Sequence, residues 1–161
     1  MFLPLAGDPA CLRSNLDAGP QEWLPDAQPL EDGRWSVRLH GAGWSQVVAM
    51  RIGAPWSSTN TRWRSLSWEP LRAEDAGGDR PLRHLPTFDG EVGLFTSERV
   101  ASLAIEGRYR APGGPLGAML DGLALHRVAR STANRLLADI GVRLRAPADG
   151  LKLGSAERPT D

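Results

Sequence analysis

The chain of 161 residues holds a single cysteine, Cys11, a single tyrosine, Tyr109, and a single lysine, Lys152. A lone cysteine excludes an internal disulfide and any cysteine-based zinc cluster. Charge of one sign is also missing: 19 basic and 19 acidic residues cancel, so no bulk field draws the chain to nucleic acid or to an anionic membrane. The preference for arginine over lysine accompanies much Ala, Gly and Pro and reads as coding bias rather than a phosphate-binding device. No apolar run approaches the roughly 20 residues of a membrane helix, so no integral membrane segment is expected. Residues Met1 to Leu5 lack a basic n-region and a long apolar stretch, which argues against a signal peptide and for a cytoplasmic protein. His40, His84 and His126 are far apart and share no metal-ligand spacing. No serine sits in a nucleophile-elbow pattern. Gly113-Gly114-Pro115-Leu116-Gly117 precedes a helix but lacks the lysine of a P-loop and the context of a dinucleotide site, so it reads as a strand-to-helix turn. No metal, cofactor or catalytic set is expected.

Aromatic residues are few, yet six of them are tryptophan. They fall in a chain whose hydrophobic period changes once. The C-terminal part carries the helical period. Pro112-Gly113-Gly114 breaks the chain and Pro115 suits a first helical turn, where its missing N–H is not needed. Leu116, Met119, Leu120 and Leu123 then recur at helical spacing, followed by Ala129, Ala133, Leu136, Leu137, Ile140 and Leu144. The two apolar sets do not superpose at about 100° per residue, so the stripe drifts as it would on a helix lying diagonally over a twisted sheet. His126 lies on the seam between them. Pro147 stops the helix, and Arg143 and Arg145 suit its negative end. The spacing thus predicts one long helix over Pro115 to Arg145, with Gly122 and Gly141 as weak points.

Upstream the period is two. Trp35, Val37 and Leu39 alternate with Ser36, Arg38 and His40; Val48, Met50 and Ile52 alternate with Ala49 and Arg51. Thr61 to Trp68 alternates again, with Trp63 on one face and Arg62 and Arg64 on the other. Leu103, Ile105 and Tyr109 face away from Ser102, Glu106 and Arg108. Such alternation marks half-buried antiparallel strands. Asp8 with Pro9 opens a short helix, Gln21 to Leu24 forms a single turn, Met1 to Leu5 is an edge strand, and Asp89-Gly90 is a turn opening a strand over Glu91 to Thr96. Leu71 to Pro86 is a long loop with acidic residues. Ala146 to Asp161 has no periodicity. The chain therefore divides into one domain over 1–146 and a tail over 147–161. Strands followed by one long helix define an α+β domain: a curved antiparallel sheet wrapped around the C-terminal helix.

The run Leu85-Pro86-Thr87-Phe88-Asp89-Gly90-Glu91, then Leu103-Ala104-Ile105-Glu106-Gly107-Arg108-Tyr109, then Pro112-Gly113-Gly114-Pro115-Leu116-Gly117, Leu120-Asp121 and Leu125-His126-Arg127-Val128-Ala129 resembles the last strands and C-terminal helix of the START-like, or Bet v 1-like, helix-grip superfamily (SRPBCC). Within it the chain is similar to actinobacterial members labelled polyketide cyclase or lipid-transport related. The resemblance covers Pro86 to Leu144 firmly and Trp35 to Trp68 loosely. It implies a hydrophobic cavity between sheet and helix, and it brings no invariant catalytic residues.

Trp35, Met50, Trp63, Tyr109, Met119, Leu123 and His126 are the candidates for lining that cavity. The leading expectation is a binder of a small hydrophobic ligand, lipid- or polyketide-like, without catalysis. A cyclase or dehydratase using His126 or Tyr109 as acid or base is the alternative, and an interaction module with a vestigial cavity is a third. As single residues, His126 reads foremost as a rim histidine and Tyr109 as core volume with its hydroxyl at the edge. Arg62-Trp63-Arg64 places a ring between two cations, as base-stacking surfaces do, but the neutral charge argues against nucleic acid.

Overall fold

The computed structural model describes residues 2–41, 44–71, 86–97, 100–110 and 122–146, with side chains in the last segment from Arg127 onward. In chain order the elements are β1 (Phe2–Leu5), α1 (Pro9–Asp17), α2 (Pro20–Trp23), β2 (Gln28–Pro29), β3 (Trp35–Gly41), β4 (Trp44–Ile52), β5 (Trp56–Ser58), β6 (Thr61–Pro70), β7 (Thr87–Thr96), β8 (Ala101–Arg110) and α3 (Gly122–Leu144). The strands form one antiparallel sheet of eight, in the order β1-β8-β7-β6-β4-β3-β2, with β5 pairing β6 beside β4. This is an α+β domain with an open sheet and a long C-terminal helix. Both sheet edges carry a proline, Pro4 in β1 and Pro29 in β2. Proline removes a ladder donor, so neither edge offers a full template for another strand.

Local chemistry explains the start of the chain. Asp8 caps α1, its carboxylate accepting from the Cys11 N–H at 2.9 Å, and Pro9 occupies the first turn. Leu12 and Leu16 of α1 and Trp23 of α2 are buried in the main core. Asn15 donates to the Leu144 carbonyl at 2.8 Å, tying α1 to the end of α3.

The α3 residues that are buried are Ala129, Ala133, Leu136, Leu137, Ile140 and Leu144, together with Thr132, whose hydroxyl returns to the Val128 carbonyl at 2.8 Å. The apolar residues are the set whose period predicts the helix. α3 touches β3 near one side of the sheet, β8 and β1 at the other, and both short helices. Gly141 allows the approach to β1, since a Cβ there would stand 2.8 Å from a Leu3 methyl and 3.0 Å from one of Leu5.

One sequence expectation is corrected here. Asp89-Gly90 is no turn but lies inside β7, with Gly90 opposite Gly107 of β8. The Phe88 ring lies across both glycines: a Cβ on Gly90 or Gly107 would meet its Cζ at 2.7 or 2.5 Å. The glycines therefore serve ring packing rather than chain reversal. β5, three exposed residues long, escaped the period analysis, and β6 runs on to Pro70. The expected loop over 72–85, the first turns of the predicted helix before Gly122, and the tail over 147–161 lie outside the described residues.

Candidate ligand-binding site

The register brings distant residues into one line. Trp35 stands opposite Met50, Met50 opposite Trp68, Trp68 opposite Phe88, and Phe88 opposite Tyr109. These five residues form a row across β3, β4, β6, β7 and β8. They share the inner face of the sheet with Val37, Val48, Leu66, Val92, Leu94, Leu103, Ile105 and Leu5, all of them in the core. Met50, Trp68 and Phe88 are buried, and Trp35 and Tyr109 are half-buried against the core.

At the β8 end of the row the rings interlock. Trp68 and Phe88 stack with centroids 4.4 Å apart and planes at 20°. Tyr109 packs against Phe88 at 4.9 Å and edge-on to Trp68 at 5.7 Å. The Trp68 indole donates to the Pro86 carbonyl at 3.2 Å. The Tyr109 hydroxyl is buried and has no hydrogen-bond partner among the described residues. Buried hydroxyls are ordinarily paired, and an unpaired one costs about 1–3 kcal/mol. Burial also pushes the Tyr109 phenol well above its ordinary pKa. The group therefore stays protonated and acts as a neutral donor.

Of the residues expected to line a cavity, the structure unites Trp35, Met50 and Tyr109 in this row and adds Trp68 and Phe88, which the sequence did not single out. Their signal was parity: Trp68 lies two residues from Leu66, on the face that register with Met50 turns inward. Trp63 is on the other side of the sheet, a correction. It pairs with Trp56 and stacks on that ring at 5.9 Å, meets Phe95 edge-on at 5.3 Å, and lies over Gly93, where a Cβ would be 2.5 Å from its ring. Phe2 joins this outer cluster through Phe95 at 5.3 Å. Leu123 and His126 are in α3, but their side chains, like Met119 altogether, lie outside the described residues.

The reason for the reversal is Arg64. It occupies an inner-face position of β6 and is only 7% exposed. Its Nε donates to the Gly53 carbonyl at 3.0 Å, and its Nη1 to the carbonyls of Leu16 at 3.0 Å and Ala18 at 2.8 Å. The guanidinium also lies 5.4 Å from the Trp23 ring centroid. A charged residue thus takes an interior place by gathering the carbonyls at the end of α1, and the large ring of Trp63 is left outside. Arg62 beside it reaches Asp17 at 2.6 Å. These two arginines hold the α1–α2 corner onto the sheet.

Among the described residues no group of His, Cys, Asp and Glu could hold a metal ion, and no helix is long and apolar enough to cross a membrane. Cys11 is exposed on α1. No family model, no curated protein and no solved structure matches this chain.

Proposed function

We propose that the chain is a helix-grip domain of the START-like kind that holds a small hydrophobic ligand between the inner face of the sheet and α3, without transforming it. The observation that carries this reading is the Tyr109 hydroxyl, a buried donor with no acceptor among the described residues, set at the end of a row of rings and a thioether. A pocket of mostly apolar walls with a single oriented polar group is the usual form of a small-molecule site. α3 touches β3 on one side of the sheet and β8 and β1 on the other, and Met50, Trp68 and Phe88 are on the strands between them. The raised pKa of Tyr109 favours binding over catalysis, because a phenol that keeps its proton donates a hydrogen bond but does not abstract a proton at neutral pH.

The test is displacement of an environment-sensitive apolar dye, with native mass spectrometry of the purified protein for a co-purified ligand. Dye binding at roughly micromolar affinity, about −8 kcal/mol, is expected. Leu123→Trp, on the helix facing the sheet in this reading, should abolish it while leaving the fold intact. Full dye binding by a folded Leu123→Trp protein would remove the inner face as the site.

A further inference from the structure

The opposite face of the same sheet end carries a cleft of about 290 Å³, lined by Ala49, Arg51, Ser67, Glu69, Thr87 and Arg110 together with the strand segments at Trp68 and Phe88. Arg51 rises from β4 on one wall and Arg110 from the last position of β8 on the other. Neither guanidinium has an ion pair or hydrogen bond among the described residues, and both are exposed. Between them the floor presents the hydroxyls of Ser67, opposite Arg51 in register, and Thr87, opposite Arg110. These hydroxyls too are without a partner among the described residues. The only acid in the lining, Glu69, is held at 2.7 Å by Arg34, a buried guanidinium that also pairs with Asp32. Asp89 stands opposite Ser67 in the same row as Arg51, and its own partner on β8 is Arg108.

We propose that this cleft binds a phosphoryl group. Arg51 and Arg110, neither in an ion pair among the described residues, line it from opposite walls over the hydroxyls of Ser67 and Thr87, and the cations Arg34, Arg51, Arg108 and Arg110 outnumber the carboxylates Asp32, Glu69 and Asp89 around it. Arginine's rigid fork matches phosphate oxygens, and charge-assisted hydrogen bonds are the strong ones. Donors that arrive from two walls and a floor suit a tetrahedral anion better than a planar carboxylate, whose oxygens share one plane. The site lies on the opposite face from the ligand site proposed above, and its ligand is either a free phosphate ester or the phosphate of a lipid headgroup.

The experiment titrates inorganic phosphate and glycerol phosphate into the full chain, following by NMR the Arg51 and Arg110 side-chain N–H signals and the Ser67 and Thr87 amides. In parallel, vesicles of phosphatidylcholine with and without phosphatidic acid are tested for co-flotation. Saturable shifts at these four residues are expected, weakening as salt is raised. Arg51→Gln and Arg110→Gln should each reduce affinity about tenfold, with the melting temperature unchanged because both side chains are exposed. Binding of the soluble ester without flotation assigns a free ligand; flotation dependent on phosphatidic acid and lost in both variants assigns a headgroup. Absence of saturable binding in both arms, or binding that both variants retain in full, overturns the proposal.

Discussion

Replacing Tyr109 by Phe should raise the stability of the empty protein and lower its affinity for ligand. These opposite signs follow from one atom. The hydroxyl is buried without a partner among the described residues, so the folded state bears a desolvation cost that the unfolded state, in water, does not. Phe keeps the ring, and with it the contacts to Phe88 at 4.9 Å and Trp68 at 5.7 Å. Removing the hydroxyl should therefore gain up to ~1 kcal/mol, or a rise of about 2–4 °C in Tm for a chain of this size. In the proposed complex the same hydroxyl would donate to the ligand. Its loss should cost about 0.5–1.5 kcal/mol, roughly two- to tenfold in Kd. Differential scanning calorimetry and dye titration of the two proteins read the two effects.

Alkaline titration gives a third reading of the same atom, because Tyr109 is the only tyrosine and so the only source of phenolate absorbance. Burial raises its pKa from the ordinary value of 10.0. Between the unfolded and folded pKa values the native state holds the extra proton, so stability is complete below about pH 10 and declines as the pH rises above it. Phenolate should appear only as the protein unfolds, and Tyr109→Phe should lack this component of the alkaline loss. A lower Tm for Tyr109→Phe would mean that the hydroxyl has a partner in the protein. Phenolate forming at its ordinary pH in the folded protein would mean that it faces water. Either outcome would refute the site as described.

Arg64→Met should lower stability by about 2–4 kcal/mol in urea titrations at unchanged m-value, since it strands the carbonyls of Leu16, Ala18 and Gly53; Arg64→Lys should recover less than half of the loss because one ammonium cannot span these acceptors. An Arg64→Met protein within 0.5 kcal/mol of wild type, on the ~1 kcal/mol scale of a single hydrogen bond, would remove the clamp assigned to Arg64. Thr59 sits at φ 53°, a left-handed conformation that a β-branched residue adopts at a cost. Thr59→Gly should therefore stabilise the protein by about 0.5–1 kcal/mol, checked by thermal melting, and a destabilised variant would show that the Thr59 side chain contributes more than its backbone costs.

Much of this architecture can be read from hydrophobic period. The buried set of α3 is the helical repeat from Ala129 to Leu144, and the inner faces of β3, β4 and β8 are the alternating residues of those segments. Reading failed where one strand carries large residues on both faces. In β6, Trp63 has one parity and Leu66 and Trp68 the other, and alternation alone does not say which looks inward. Arg64 made the choice harder, since a buried arginine inverts the ordinary expectation. Its burial depends on carbonyls at the end of α1, a contact across 46 and 48 residues that no local pattern encodes. Asp89-Gly90 misled for a similar reason. The dipeptide is a strong local turn signal, and it was overridden by a ring that lies across Gly90 and its partner Gly107.

The two aromatic groups on opposite faces of the sheet differ in what they leave unspent, and this separates the candidate site from a structural cluster. On the outer face Trp63 has Trp56 stacked upon it, Phe95 at its edge and Gly93 beneath it, so its neighbours consume most of its surface. Fully buried Ala104 stands opposite both Gly93 and Phe2, which places two small residues beneath the outer rings and gives the cluster a packing role of its own. On the inner face the indole N–H of Trp68 donates to Pro86, but the Tyr109 hydroxyl beside it has no partner among the described residues. Apolar surface satisfies apolar surface without direction, whereas a buried donor requires an acceptor at a definite place. In the function proposed above, the row from Trp35 to Tyr109 is the face that a ligand would cover, and that ligand would bring an acceptor as well as apolar bulk.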